Sequence, residues 1–277
     1  MTLPEPRSAI GAQALGRLLQ DPGSALLAFD FDGVLSPIVP DPEQAYAHPR
    51  VVPALRRIAP HVGALAIVTG RPARLVVRLG GLAGVPELDD LRIIGQYGLE
   101  RMDSPNGELR TPKPHPGVEA VRREVPDLLA SLGAPEGTHV EDKGHAVVVH
   151  TRRTADPAAA LALLRGPLTA LAERHGLAAE PGRMVLELRP PGMTKAVAVH
   201  ALAAETEARI VMYTGDDLGD LPAYDAVDDL RDQGISGILV CSASAEVDAL
   251  AERADLIVDG PEGVADMLDA LADRLES

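Results

Sequence analysis

Short apolar runs that stop at turn residues alternate along this chain with stretches of helical periodicity. The sharpest run, Leu26-Leu27-Ala28-Phe29, ends in Asp30-Phe31-Asp32-Gly33 and, shortly after, Pro37. A run this short and apolar on both faces predicts a strand at the centre of a parallel sheet. Before it, Ile10, Ala14, Leu15, Leu18 and Leu19 place an amphipathic helix over residues 7–20. After a connection studded with Pro37, Pro40, Pro42 and Pro49, a helical pattern resumes over 51–58. Apolar runs at 64–68 and 91–94 predict two further strands. The first of these ends in Thr69-Gly70-Arg71-Pro72, where Pro72 suits the first turn of a helix whose unpaired N–H groups can face an anion.

From residue 99 the pattern changes. Two short runs flank Pro105-Asn106-Gly107, a hairpin signal. Helical periodicity follows over 118–132, then alternating runs at 139–143 and 146–152 that read as an antiparallel pair. A second helix over 158–175 and a strand over 184–189 complete this stretch, which closes at Pro190-Pro191-Gly192. Strand–helix alternation then returns, with helices over 195–204, 221–231 and 263–275 and strands over 209–213, 235–241 and 255–258. The expected fold is α/β: a Rossmann-like, doubly wound parallel-sheet core over 1–98 and 193–277, with a smaller α+β domain inserted over 99–192.

Composition narrows the function more than the fold. The 277 residues are 46% hydrophobic and 24% charged, an ordinary globular balance with enough apolar material for a sizeable core. A formal net charge of −15 argues against nucleic acid or an anionic membrane surface as partner, because both demand clustered Lys and Arg. Cys241 is the only cysteine, so no intrachain disulfide forms and a reducing compartment is expected. No stretch reads as a signal peptide or a membrane span, and the cytoplasm is the expected location. With aromatics at 2% and no Trp, recognition by stacking is largely closed off.

The candidate chemistry lies at the ends of the predicted core strands and at the start of one helix: Asp30 and Asp32, Thr69, Lys195, and Asp216, Asp217 and Asp220. In open α/β sheets, ligands bind beyond the carboxyl ends of the strands. Two acids one residue apart repel unless a cation or a proton joins them. Converging carboxylates suit a hard divalent ion such as Mg²⁺. A hydroxyl from Thr69 and a cation from Lys195 suit a phosphoryl group, and an aspartate facing that group can form an aspartyl phosphate. Gly33 lets the chain turn and bring its backbone close to a ligand. Arg71 reads either as a phosphate contact or as a charge at a helix start. His48, His61, His115, His139, His145, His175 and His200 show no metal-ligand spacing.

Taken in order, Asp30-Phe31-Asp32-Gly33-Val34-Leu35, Thr69-Gly70-Arg71, Lys195 and Gly215-Asp216-Asp217 resemble the motifs of the haloacid dehalogenase-like phosphatases. Gln96-Tyr97-Gly98-Leu99-Glu100, Val140-Glu141-Asp142-Lys143, His150-Thr151-Arg152 and Leu186-Glu187-Leu188-Arg189-Pro190 narrow the resemblance to the trehalose-6-phosphate phosphatases, and make the inserted domain an α/β cap. The resemblance implies that Asp30 attacks phosphorus and that Asp32 protonates the leaving oxygen and then activates water. It also implies that Mg²⁺ sits on Asp30, the Asp32 main-chain carbonyl and Asp216, with Asp217 and Asp220 orienting those ligands and Lys195. Thr69 and Lys195 then hold the phosphoryl group, with Gly33, Gly70 and Arg71 at the same end. Val34, Gly219 and Leu221 depart from the family pattern, but no nucleophile, acid or ligand is lost.

Period-two alternation divides the strands of the inserted domain into faces. Val147 and Val149 lie opposite Val148, His150 and Arg152; Leu186 and Leu188 lie opposite Glu187 and Arg189; Val140 lies opposite Glu141 and Lys143. The apolar sides should pack on the two helices, leaving Glu141, Lys143, His150, Arg152 and Glu187 as candidate contacts to a sugar phosphate. The same motifs would serve a phosphatase for sucrose phosphate, glucosylglycerol phosphate or a hexose phosphate. A silent regulatory module that binds a sugar phosphate or a synthase partner is the reading from another class, and the intact acidic set speaks against it.

Overall fold

A computed structural model describes residues 2–113, 115–182, 184–243 and 248–277. Its strands, in chain order, are β1 (Ala25–Phe29), β2 (Ala64–Val68), β3 (Arg92–Gly95), β4 (Glu100–Met102), β5 (His139–Asp142), β6 (Val147–His150), β7 (Ala178–Gly182), β8 (Val185–Arg189), β9 (Ile210–Gly215), β10 (Ser236–Ser242) and β11 (Leu256–Val258). The α-helices are α1 (Ala9–Gln20), α2 (Val51–Ile58), α3 (Ala73–Gly80), α4 (Pro116–Ser131), α5 (Pro157–Arg174), α6 (Lys195–Glu205), α7 (Leu221–Asp232), α8 (Asp248–Arg253) and α9 (Gly260–Leu275). Two compact units result, one of residues 1–111 and 194–277 and the other of residues 112–193.

The larger unit is built on a seven-stranded sheet in the order β11-β10-β9-β1-β2-β3-β4. All neighbours are parallel except β3 and β4. β1, fully buried, sits between β2 and β9, as its two-sided apolar run requires. Leu27 and Phe29 point into one core with residues of α1, α2, α3 and α9, while Leu26 and Ala28 point into the other, against α6 and α7. Both faces of the sheet are thus dry, and polar groups of β1 can emerge only past its C-terminus.

The smaller unit has a four-stranded antiparallel sheet, β5-β6-β8-β7. Val147, Val149, Leu186 and Leu188 pack against Val118, Val121, Val125 and Leu129 of α4 and Leu164, Leu168 and Leu171 of α5. The predicted division of faces therefore holds for β6 and β8.

The boundary expected after residue 98 falls instead after Thr111. The segment that follows β3 stays in the large sheet: β4 pairs antiparallel with β3, and Met102, opposite Ile93, joins the core. The turn at 105–107 returns the chain through a single bridge between Arg101 and Arg110. Three pairing residues with two charges among them give no readable alternation. β7 also escaped prediction, because an edge strand tolerates the Pro181-Gly182 that signals a turn elsewhere. Among the described residues, no helix is long and apolar enough to cross a membrane.

Leu164, buried at 0% exposure in the small core, tests the independence of the two cores. Leu164→Ala should cost about 2–5 kcal/mol. Calorimetry should show one transition moving down and the other staying in place; a common shift of both would contradict two separate cores.

Candidate active site

The parallel register of β1 and β9 sets Phe29 opposite Thr214, and the Asp30 N–H donates to the Thr214 carbonyl at 2.9 Å. The carboxylates that follow each strand therefore emerge side by side. One carboxylate oxygen each from Asp30, Asp216 and Asp220 fall within 4.8 Å of one another. Lys195 opens α6 behind the cap of Thr194, and its Nζ lies 2.9 Å from Asp30 Oδ2 and 2.6 Å from Asp220 Oδ1. Gly33 completes the arrangement. Its φ is +69°, and a Cβ there would lie 2.0 Å from Asp216 Oδ2, so any other residue would be strained and would collide with the acid.

Asp220 is fully engaged. Its Oδ1 accepts from Lys195 and from the Tyr213 hydroxyl at 2.6 Å, and its Oδ2 accepts the backbone N–H groups of Asp216 at 2.9 Å and Asp217 at 3.3 Å. A carboxylate with both oxygens so occupied has little left for a metal, which makes Asp220 the anchor of Lys195 rather than a ligand. Asp30 differs: its Oδ1 is buried with no hydrogen-bond partner among the described residues. Asp30 and Asp216 can therefore receive a hard cation, and the donor set fits one. Asp217 lies exposed, and its carboxylate accepts the Gly219 N–H at 2.8 Å. It shapes the turn, whereas Lys195 is held by Asp30 and Asp220, and Asp220 in turn by the Tyr213 hydroxyl. Tyr213 gives no signal of this role in the sequence, because it sits inside an apolar strand.

Three buried carboxylates, Asp30, Asp216 and Asp220, face one buried ammonium, Lys195, an excess of two negative charges. The titration follows. Burial, only partly countered by Lys195, pushes Asp30 up to about 8, and burial with the nearby Asp30 pushes Asp216 up to about 9. For Lys195, burial opposes the charge, but Asp220 and Asp30 outweigh it and hold the ammonium well above its usual range. Two protons or one divalent cation balance the cluster.

At the adjoining end of β2, Thr69 is buried, and its Oγ1 accepts the Arg71 N–H at 3.2 Å. The Arg71 guanidinium grips Asp32 with two bonds, Nε to Oδ2 at 2.5 Å and Nη2 to Oδ1 at 2.6 Å, and donates to the Pro42 carbonyl at 2.7 Å. Gly70 is pressed against the Tyr97 ring, which a Cβ would meet at 2.7 Å. The expectation that the α3 start presents free N–H groups needs correction. Its first N–H, that of Ala73, donates to Glu100 Oε2 at 2.7 Å, so a side chain from β4 already fills that position.

In the smaller unit, Glu141, Val148 and Glu187 lie in register on the face away from the helices. There Glu141 Oε2 lies 2.8 Å from His150 Nε2, and Lys143 Nζ lies 3.4 Å from Glu187 Oε2. Arg152 departs from its expected place. β6 ends at His150, and Arg152 is exposed in the turn beyond it. Outside this face, His48, His175 and His200 pair with surface acids, and the His115 side chain accepts the Gly117 N–H at the start of α4.

The family model for trehalose-phosphatase matches residues 28–256. A trehalose-phosphate phosphatase of Mycobacterium bovis is 30% identical over 280 residues, an alignment that covers 99% of this chain. The chain spans 66% of the length of that relative. Among solved structures, the C-terminal domain of Candida albicans trehalose-6-phosphate phosphatase matches with a TM-score of 0.76 at 18% identity, covering 99% of each chain. The C-terminal domain of the Candida albicans trehalose synthase regulatory protein matches with a TM-score of 0.71 at 14% identity, covering 98% of this chain and 99% of that one. At such identities these two likenesses concern the fold.

The charge excess makes two quantities depend on pH. Both carboxyls titrate above their ordinary 3.8, so the stability they lend to the metal-free protein is complete below that value and is lost as the pH rises through about 8 and 9. Over the same range a divalent cation competes with fewer protons. Its affinity, measured by titration calorimetry in buffers of different ionisation enthalpy, should rise from about pH 6 to 9 with proton release. Affinity independent of pH, with no protons released, would contradict this account of the cluster.

Proposed function

The chain belongs to the trehalose-phosphatase family, and from that premise we propose that it is a Mg²⁺-dependent phosphatase that hydrolyses trehalose 6-phosphate to trehalose and phosphate. The observation that carries this reading is the buried Asp30 oxygen without a partner, set beside Asp216 in a cluster two negative charges in excess. That is the environment of a nucleophilic carboxylate awaiting a cation.

Asp30, Asp216 and the main-chain carbonyl of Asp32 would hold Mg²⁺. When bound, the ion offsets the surplus carboxylate charge and draws in the phosphoryl oxygens. Asp30, freed of its proton, attacks phosphorus as the bond to the sugar oxygen breaks, and Asp32 gives that oxygen its proton. Asp32 then takes a proton from water, which attacks phosphorus and breaks the bond to Asp30, releasing phosphate and restoring both acids. The Asp32 side chain is 35% exposed and so open to a leaving group, and one of its two bonds to Arg71 opens for it to carry the proton it transfers. Lys195, held by Asp220, balances charge on the nucleophile and the phosphoryl group, and Thr69 donates to a phosphoryl oxygen. Gly33 and Gly70 keep backbone close to that group, and Arg71 contacts it from the Asp32 side. Asp217 keeps the turn that aims Asp216 and Asp220.

The sugar is read by the polar side of the cap sheet. Glu141, Lys143, His150 and Glu187 offer both donors and acceptors to a disaccharide, and Arg152 adds a cation from the neighbouring turn. Hydroxyls held by such groups discriminate strongly against analogues that lack them. Such an enzyme would act in the cytoplasm, where the lone buried thiol of Cys241 stays reduced.

Asp30→Asn should abolish phosphate release while the circular-dichroism spectrum stays native; an unchanged rate would remove Asp30 as nucleophile. Assayed across trehalose 6-phosphate, sucrose phosphate, glucosylglycerol phosphate and a hexose phosphate, the protein should favour the first, and equal turnover of all would defeat the sugar assignment. Glu141→Ala or Lys143→Ala should lower kcat/KM for the disaccharide phosphate by about 10-fold or more and spare a generic aryl phosphate. Equal losses on both substrates would exclude these residues from sugar recognition.

A further inference from the structure

The segment Gln96-Tyr97-Gly98-Leu99-Glu100 holds a buried charge that the chemistry above leaves unused. Glu100 is only 7% exposed, and among the described residues its carboxylate forms no ion pair. Its compensation comes instead from two N–H donors. Oε2 accepts the Ala73 N–H at 2.7 Å, at the positive end of α3, and Oε1 accepts from Gln96 Nε2 at 2.8 Å. Gln96 and Tyr97 both adopt left-handed backbone angles, φ 46° and 58°, which side-chain-bearing residues seldom tolerate. In that conformation the Gln96 N–H reaches the Arg71 carbonyl at 3.0 Å and the Tyr97 N–H reaches the Thr69 carbonyl at 3.0 Å. Glycines allow the two turns to touch. A Cβ on Gly70 would meet the Tyr97 ring at 2.7 Å, and one on Gly95 would meet the Ala73 nitrogen at 2.6 Å.

The turn that carries Thr69 and Arg71 is therefore fixed from behind by a second, strained turn, and Glu100 ties both to the start of α3. We propose that Glu100 is a positioning residue, holding the Thr69-Gly70-Arg71 turn in the one backbone arrangement that presents the Thr69 hydroxyl and the Arg71 guanidinium to a phosphoryl group. This role rests on the phosphatase reading for its consequence in turnover, but not for its consequence in backbone order.

Two substitutions separate hydrogen bonding from simple bulk. Glu100→Ala removes both bonds. Glu100→Gln can keep both, because Gln96 Oε1 is buried without a partner: with the Gln96 amide turned over, that oxygen accepts from the new amide while Ala73 keeps its acceptor. Hydrogen–deuterium exchange of peptides spanning 69–76 and 95–100 should quicken in Glu100→Ala and stay at the wild-type rate in Glu100→Gln. With trehalose 6-phosphate and with p-nitrophenyl phosphate alike, kcat should fall about 10²-fold in Glu100→Ala, the usual effect of ångström-scale misplacement, and recover to within about threefold in Glu100→Gln. Divalent-cation affinity should not change in either variant, since Asp30 and Asp216 follow other strands. Should Glu100→Ala not fold, Gln96→Ala, which removes one of the two bonds, takes its place with the same directions and smaller size. Wild-type kcat and exchange in the alanine variant, even with a lowered Tm, would overturn the role, as would equal loss in Glu100→Gln. Absence of phosphate release from the wild-type protein would instead strike at the phosphatase reading, and the exchange result would still decide whether Glu100 holds the turn.

Discussion

Like charges forced together in a dry place govern this protein. Asp30, Asp216 and Asp220 are buried around a single ammonium, and the excess cannot be relieved by solvent. Asp220 takes up the Lys195 charge and spends its remaining capacity on Tyr213 and two backbone N–H groups. What is left over lies on Asp30 and Asp216. An arrangement of this kind weakens the empty protein as the pH rises and strengthens the loaded one, so the same repulsion that opposes folding drives cation uptake.

The fold makes that crowding possible. A strand apolar on both faces has nowhere to put a carboxylate except beyond its C-terminus, and the parallel pairing of β1 with β9 brings two such ends together. Helix α6 delivers Lys195 from its first position, and Gly33 permits the first loop to pass within contact of Asp216. At the neighbouring strand end the organisation is different. There the Thr69 turn is held by backbone bonds to Gln96 and Tyr97, and Arg71 is committed to Asp32, so positioning rather than charge excess sets the geometry. One end of the site thus has the charge and the open oxygens to receive a cation, while the other has its backbone fixed.

Much of this was legible in the sequence, and the exceptions have physical reasons. Strands β1, β2, β9 and β10 announce themselves because burial on both faces leaves uninterrupted apolar runs, and α2 spans the predicted 51–58. The faces of β6 and β8 follow from period-two alternation confirmed by the packing of Val147, Val149, Leu186 and Leu188. The domain boundary is hard to read because β4 is three residues long with two of them charged, so its membership in the large sheet is fixed by pairing with β3 and not by local pattern. The α3 start looks vacant in the sequence because nothing nearby says that Glu100 will fill it. Arg152 misses its expected place on β6 because the pleat stops where a turn begins: the Thr151 N–H makes the last bond across to Met184, and the Thr151 carbonyl then accepts the Thr154 N–H. Tyr213 shows the converse, since a hydroxyl in an apolar strand looks like core until its partner is known.

The central claim is that Asp30 and Asp216, and not Asp220, receive the cation. Its most direct test is a crystal grown with Mn²⁺ and measured at a wavelength where manganese scatters anomalously. The account predicts one strong anomalous peak bonded to the free Asp30 oxygen and to Asp216, with Asp220 still joined to Lys195 and Tyr213. A peak on Asp220 with Lys195 displaced, or no peak near Asp30 at saturating Mn²⁺, would contradict it.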